Sequence, residues 1–341
     1  MKKGFTLIEL LAVIVILAII AVIATPTILG VIEKARKGSA ESSALGYIDA
    51  VEKQIMINEV DTSSKSIKDR VYSIQELKDL GVTVKGTEPS NGTIEIKNGE
   101  VKDYVLGIDK YVVEKGKATK VTNINKYENG YSVYYNPTTG EKCTESEAVS
   151  TTGTKSGCMK WYTYNDSEGS GTVNLILDHN TTARVAWNSS GSNETGMKEV
   201  KEVLENDTNN WKVPARLITA NEIAKITNHP TFDSSKTGQK WYCLATNKQD
   251  LTSMPYCNKE TNISMNWLFD YTYCKEGSND WGCSHNDPST YGYWTSTPYT
   301  GSSSQAWSVH RYGNLVNISV SNINRGVRPV ITIKKSILEE N

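Results

Sequence analysis

The chain has 341 residues, room for about two domains. With 37 basic against 38 acidic residues, it carries no net field to draw nucleic acid or an acidic substrate. Its apolar residues crowd the N-terminus. The remainder is polar, with 18 Tyr and 8 Trp against 3 Phe, an aromatic mix whose polar handles suit an exposed surface.

The first predicted element is a long helix. Every residue from Leu10 to Ala24 is apolar. Counted from Phe5, about twenty residues precede Thr25, enough helix to cross ~30 Å of hydrocarbon. A conventional secretory signal would close the run with small cleavage-site residues. Here Thr27 to Arg36 still reads as helix, so the apolar segment is expected to be retained. Glu9 is the odd residue, because a carboxylate at the edge of a spanning segment needs a partner or an interfacial position. A simple signal anchor with Glu9 among the headgroups is the plain alternative. Lys2 and Lys3 flank one end and Lys34, Arg36 and Lys37 the other, so loop charge does not orient the span.

The run Lys2-Lys3-Gly4-Phe5-Thr6-Leu7-Ile8-Glu9 resembles the class III leader of type IV prepilins and pseudopilins. It has the short basic leader, the Gly, the following Phe and an acid at the fifth mature position. The resemblance implies cleavage between Gly4 and Phe5 by prepilin peptidase and N-methylation of Phe5. It also implies residence in the cytoplasmic membrane with the C-terminus outside, then assembly with other pilin subunits. Glu9 would pair with the terminal amine of a neighbouring subunit; in an apolar filament core, removing one charge strands the other. Pro26 falls where pilin helices commonly kink.

Leu45, Ile48, Val51, Ile55 and Met56 continue at helical spacing, extending the predicted helix over 5–58. Ser73 and Glu76 form a capping box for a short helix to Leu80, with Gly81 after it. Thr93 to Lys97 alternates as a strand, Asn98-Gly99 is a hairpin turn, Val101 to Leu106 returns, and Tyr111 to Glu114 adds a third strand. A long helix against a small antiparallel meander (93–115) resembles a pilin head. Residues 1–4 are thus expected to be a leader and 5–120 a pilin module. Residues 121–157, rich in Asn, Thr, Ser and Gly, read as a linker.

Beyond it, Val173 to Asp178 and Ala183 to Trp187 read as strands, and Met197, Val200, Val203 and Leu204 mark an amphipathic helix. A second helix starts at Thr219 with Glu222 completing a capping box. Tyr293 to Ser296, Ala306 to His310, Leu315 to Val320 and Val327 to Ile333 read as strands. Helices followed by a terminal antiparallel sheet predict an α+β domain over 158–335. This segment resembles C-type-lectin-like domains of the branch that includes formylglycine-generating enzymes and bacterial surface paralogues. The resemblance rests on Trp211-Lys212-Val213-Pro214-Ala215-Arg216-Leu217, Gly292-Tyr293-Trp294-Thr295-Ser296, Ala306-Trp307-Ser308-Val309 and Asn324-Arg325-Gly326-Val327-Arg328-Pro329-Val330. It implies a stable core with a variable loop face for ligands.

All six cysteines (Cys143, Cys158, Cys243, Cys257, Cys274 and Cys283) lie beyond residue 140, and none forms a C-x-x-C pair. An even number in a polar, exported chain predicts three disulfides, for which fifteen connectivities exist. The sequential set Cys143–Cys158, Cys243–Cys257 and Cys274–Cys283 is expected. His179, His229, His285 and His310 have no spacing suited to a metal, and no Ser elbow, P-loop or carboxylate pair stands out. Asp178-His179 abuts a strand, where neighbours face opposite ways, and so makes a poor catalytic pair. Neither cofactor nor enzymatic activity is expected. The loop from Cys274 to Tyr291 is the ligand candidate, with Asn279, Asp280, Trp281, His285 and Tyr291 suited to a glycan or a protein surface. The sequence thus predicts a type IV pilus subunit, a minor pilin displaying an adhesion domain. A pseudopilin of a secretion or DNA-uptake apparatus and a surface-anchored enzyme are the alternatives.

Overall fold

The computed structural model of the chain describes residues 7–60, 67–121, 126–148, 157–166, 170–181, 184–244, 265–269, 292–310 and 313–339. Helix α1, Leu7–Val60, has 54 residues and no break at Pro26. At 1.5 Å per residue it is about 80 Å long. Its character changes along its length. From Leu7 to Ile32 the apolar side chains are bare, whereas Ala40, Ala44, Tyr47, Ile48, Val51 and Ile55 are buried. The buried stripe therefore runs through the small residues Ala40 and Ala44. Leu45 and Met56, expected on the packed face, are 51% and 64% exposed, because each lies one step of about 100° round the helix from a stripe residue.

That stripe packs on a five-stranded antiparallel sheet whose strands follow chain order. They are β1 (Arg70–Ser73), β2 (Asn91–Lys97), β3 (Glu100–Ile108), β4 (Tyr111–Glu114) and β5 (Lys117–Lys120), with the short helix α2 (Ile74–Asp79) between the first two. The predicted meander is present and gains β1 and β5 at its edges. Lys97 pairs with Glu100, leaving a two-residue turn in which Asn98 and Gly99 have φ of 56° and 72°. Positive φ at both central residues is the type I′ geometry that matches strand twist. Ser73 caps α2 and Glu76 closes the box, as predicted.

The rest of the chain builds two further antiparallel sheets. The six-stranded one has the order β10-β15-β9-β8-β6-β7 and the four-stranded one β11-β14-β13-β12. Their strands are β6 (Ser132–Asn136), β7 (Glu141–Lys142), β8 (Met159–Tyr164), β9 (Thr172–Leu177), β10 (Arg216–Leu217), β11 (Tyr242–Cys243), β12 (Gly292–Pro298), β13 (Gln305–His310), β14 (Asn314–Ser319) and β15 (Pro329–Lys334). Helices α3 (Glu145–Ala148), α4 (Glu199–Asp207), α5 (Ala220–Ile226), α6 (Asn266–Phe269) and α7 (Lys335–Glu339) fill the connections. The molecule is α+β, a long helix followed by antiparallel sheets.

Two local expectations change. Residues 132–148, read as linker, form β6, β7 and α3, and β6 pairs with β8 in the six-stranded sheet. Their few apolar side chains masked this. Val133 and Tyr135 alternate inward to one small cluster with Trp161 and Leu175. Residues 184–187, read as strand, join no ladder. Val185 N–H instead donates to the Arg325 carbonyl at 2.9 Å, and the Trp187 indole reaches the Thr295 carbonyl at 2.9 Å, with its ring fully buried.

The helix-bearing sheet and the later sheets meet through a polar, buried seam. The Asn91 amide donates to the Thr172 carbonyl at 2.9 Å and accepts from the Ser170 hydroxyl at 2.9 Å. The Ser296 hydroxyl donates to Glu76 at 2.8 Å, and Lys334 pairs with Glu114 at 2.5 Å. Val105, Val112 and Val121 form a small apolar cluster at the seam's other side, against Gly171.

Both capping boxes beside the seam share a wider pattern. In Arg70-x-x-Ser73-x-x-Glu76 and Arg216-x-x-Thr219-x-x-Glu222, each arginine pairs with its box glutamate and also donates to the carbonyl of the next residue. Arg216 binds Glu222 through two nitrogens at 2.7 and 2.6 Å, with the pair almost wholly buried and Tyr164 hydroxyl at 3.0 Å. One short sequence pattern thus supplies strand end, helix start and charge neutralisation twice.

Candidate functional site

The site with the clearest chemistry is the first half of α1. Where the helix is held is evident from its partners. The Tyr111 hydroxyl donates to the Glu33 carbonyl at 3.4 Å, Lys120 pairs with the Glu33 carboxylate at 2.6 Å, and Ala118 N–H donates to Glu41 at 3.0 Å. N-terminal to Glu33, the apolar window of the helix is wholly unburied. It is long and apolar enough to cross a membrane. A bare apolar surface of this length is stable only in lipid or against other apolar helices.

Glu9 lies in the first turn of α1, on the exposed part of the helix. There the free N–H groups of the helix end favour negative charge. A carboxylate in this position can receive a cation from a neighbouring molecule while the apolar side chains around it exclude water. Pro26 lies inside the helix. Having no N–H, it can donate nothing to the carbonyl four residues earlier. Just before it, the Thr25 hydroxyl donates back to the Ala21 carbonyl at 2.5 Å. Gly4 and Phe5 lie outside the described residues.

Of the cysteines, Cys143 and Cys158 are bonded, joining the end of β7 to the start of β8 across 15 residues of sequence. Cys243, buried in β11, is also disulfide-bonded. Its expected partner Cys257, together with Cys274 and Cys283, lies outside the described residues. So do all five candidate ligand-loop residues, Asn279, Asp280, Trp281, His285 and Tyr291.

The loop's surroundings are described only at its exit. There Tyr293 donates its hydroxyl to the Leu268 carbonyl at 2.5 Å, and the Arg328 guanidinium binds the carbonyls of Leu177, Trp267 and Leu268 at 2.6, 2.7 and 3.0 Å. Arg328 is buried and lies 5.1 Å from the Tyr293 ring centre. Arg325 is buried too. In the sequence both stand only within a fold signature, with no hint that Arg328 gathers main-chain carbonyls or that Arg325 donates to the Ser308 hydroxyl at 3.2 Å.

Asp178 and His179 come within 4.0 Å of each other, because β9 ends at Leu177 and the strand alternation that would separate them ends with it. Asp178 also accepts the Tyr162 hydroxyl at 2.8 Å. No group of three or more His, Cys, Asp or Glu suited to a metal occurs among the described residues. A cleft of about 800 Å³ opens where α2, β2 and α5 meet, lined by Lys78, Asp79, Asn165, Asn221, Asn228 and His229 among others. Burial raises the Asp79 carboxyl, although Asn221 and Gln75 donate to it, and burial lowers the His229 imidazole, which stacks on Tyr242 at 3.7 Å. Most of these amides already serve the fold: Asn221 bridges Asp79 and Ser234, and Asn165 donates to the Glu222 carbonyl.

Residues 1–25 match the prokaryotic N-terminal methylation motif, and residues 217–335 match a domain of unknown function, DUF6273. No curated protein and no solved structure matches the chain. The methylation motif supports a type IV pilin- or pseudopilin-like subunit, a structural role rather than an enzymatic one. It implies processing by prepilin peptidase and partnership with other pilin subunits. With the bare apolar helix, it fits a chain anchored first in a membrane and then exposed at the surface in a pilus.

Proposed function

We propose that the chain is a minor pilin of a type IV pilus that displays an extracellular, ligand-binding domain. The observation that carries the assembly role is Glu9 in the first turn of an apolar helix that none of the described residues covers. Cleavage after Gly4 would leave the new terminal amine on Phe5, four residues before Glu9 in the sequence. In a stack of such helices the amine of one subunit then neutralises the acid of the next, while Leu7 to Ile32 bury one another. Residues 5–120 act as the assembly module, and the sheets that begin at β6 act as the display module, which joins residues 132–148 to 158–335.

The display role is supported by bulk and fold. The chain after the meander forms two extra sheets that no filament core requires. In the sequence, the order of motifs around Arg216, Trp294, Trp307 and Arg328 resembles that of C-type-lectin-like domains. The segment 274–291 is the proposed ligand face, for a glycan or a protein.

Mass spectrometry of filaments sheared from native cells tests the assembly role. A mature chain beginning at N-methylated Phe5 is expected, and its loss from the sheared fraction in a Glu9→Val strain. An uncleaved chain retained in the membrane fraction would make it a surface anchor. Sheared filaments applied to glycan and protein arrays test the display role. Retention that depends on Trp281 is expected, whereas secretion or DNA-uptake defects without any retained ligand would favour a pseudopilin.

A further inference from the structure

The end of β15 holds a group of side chains that neither assembly nor display uses. Lys335 Nζ lies 2.7 Å from Asp166 Oδ2, and both side chains are completely buried. Lysine is almost never wholly buried, and a buried ion pair at best breaks even against the cost of desolvating its charges. Tyr127 frames the pair, and Glu339 lies on the same short helix as Lys335. Tyr127 donates its N–H to the same Asp166 oxygen at 2.8 Å and sets its ring 6.0 Å from Lys335 Nζ. Glu339 follows Lys335 by one helical turn of α7 and interacts electrostatically with it.

We propose that Lys335 and Asp166 condense into an intramolecular isopeptide bond, with Glu339 carrying the proton. The balance is simple and needs no oxidant or cofactor. Within the ion pair, Nζ first gives one proton to the Asp166 carboxylate, leaving a neutral amine and a neutral acid. The Nζ lone pair attacks Cγ, forming the N–C bond. Glu339 accepts a proton from the attacking nitrogen and returns it to the departing Asp166 oxygen. The C–O bond breaks, one water leaves, and Glu339 ends as it began.

Three physical features favour the step here. A site closed to water penalises two charges and accepts a neutral amide, so the desolvation that weakens the ion pair drives its conversion. The reacting groups are already held within near-attack distance, where effective molarities reach about 10⁵–10⁸ M. Burial also raises the Glu339 carboxyl, against the lowering pull of Lys335, which brings a proton carrier closer to working pH. The bond would tie the end of the C-terminal strand β15 to the segment after β8, across the six-stranded sheet.

The test is mass spectrometry of the full chain, purified in detergent, reduced and denatured. The expected mass is one water below that calculated for the reduced, processed sequence. Proteolysis should yield one branched peptide that joins the segments containing Asp166 and Lys335. Asp166→Ala and Lys335→Met should each restore the missing water, and Glu339→Gln should leave most of the chain unlinked while both reacting residues remain. The wild-type mass decides the matter even if a variant fails to fold. A full-mass wild-type chain that gives only separate peptides would overturn the proposal and leave an ordinary buried ion pair.

Discussion

At the scale of single residues, the buried charges separate assembly from stability. Glu9 lies on the exposed N-terminal part of α1, away from the sheets, so Glu9→Val should leave the folded head intact and abolish only incorporation into filaments. Shearing assays beside circular dichroism of the detergent-solubilised chain would show both. Arg216 is the opposite case. With Glu222 it is sealed from water, and Arg216→Met would strand the Glu222 carboxylate at a cost of about 3–5 kcal/mol. A loss well below 1 kcal/mol in urea unfolding would contradict that assignment. Glu76 gives a pH signature. Burial pushes its carboxyl up, but Arg70, Arg216, the Ser73 N–H and the Ser296 hydroxyl outweigh burial and hold it below the usual carboxylate range. A depressed folded value stabilises the protein above the unfolded pKa of about 4.3 and is lost as pH falls through the lower folded value. Melting temperature should therefore drop below about pH 4.3 in the wild type, and less steeply in Glu76→Gln.

At the scale of elements, what the sequence made legible is what local chemistry alone decides. The capping boxes at Ser73 and Thr219, the Asn98-Gly99 turn and the apolar run into α1 each state their structure within a few residues, and each is present. Elements whose identity depends on distant partners were not legible. Ser132 to Asn136 has polar neighbours on both sides, and becomes β6 only because β8 offers it a ladder. Ala183 to Trp187 alternates convincingly in sequence, yet Trp187 is claimed by Thr295 and Val185 by Arg325, so the described residues 184–187 join no ladder. The disulfide Cys143–Cys158 secures that poorly signalled region. Closing a loop of this length removes about 3 kcal/mol of unfolded-state freedom by the chain-entropy account. Cys143→Ser should lower the unfolding free energy by an amount of that order. An unchanged melting temperature would mean that β6 and β7 need no covalent support.

At the scale of the whole molecule, the question is whether a filament could carry the C-terminal sheets as a loosely tethered bead. The seam argues against it. Asn91 reaches across from β2 to Ser170 and Thr172, Ser296 reaches back to Glu76, and Gly171 lies against Val112 and Val121. These contacts were invisible in the sequence, because residues up to 220 positions apart make them and no local pattern marks either partner. Gly171 shows how close the packing is. A Cβ there would stand 2.7 Å from a Val121 methyl and 2.8 Å from a Val112 methyl. Neither valine can retreat without disturbing the small cluster it forms with Val105. Overpacking of this kind costs about 1–3 kcal/mol. Removing the Asn91 amide leaves the Ser170 and Thr172 groups buried without it, at about 1–3 kcal/mol more. Because both changes strike only the seam, they should uncouple the two parts rather than unfold either. Calorimetry of the full chain in detergent should show one transition for the wild type and two for the Gly171→Val/Asn91→Ala double variant. Two transitions already in the wild type would mean that the seam does not couple them, and that the display module moves on the shaft independently of its assembly module.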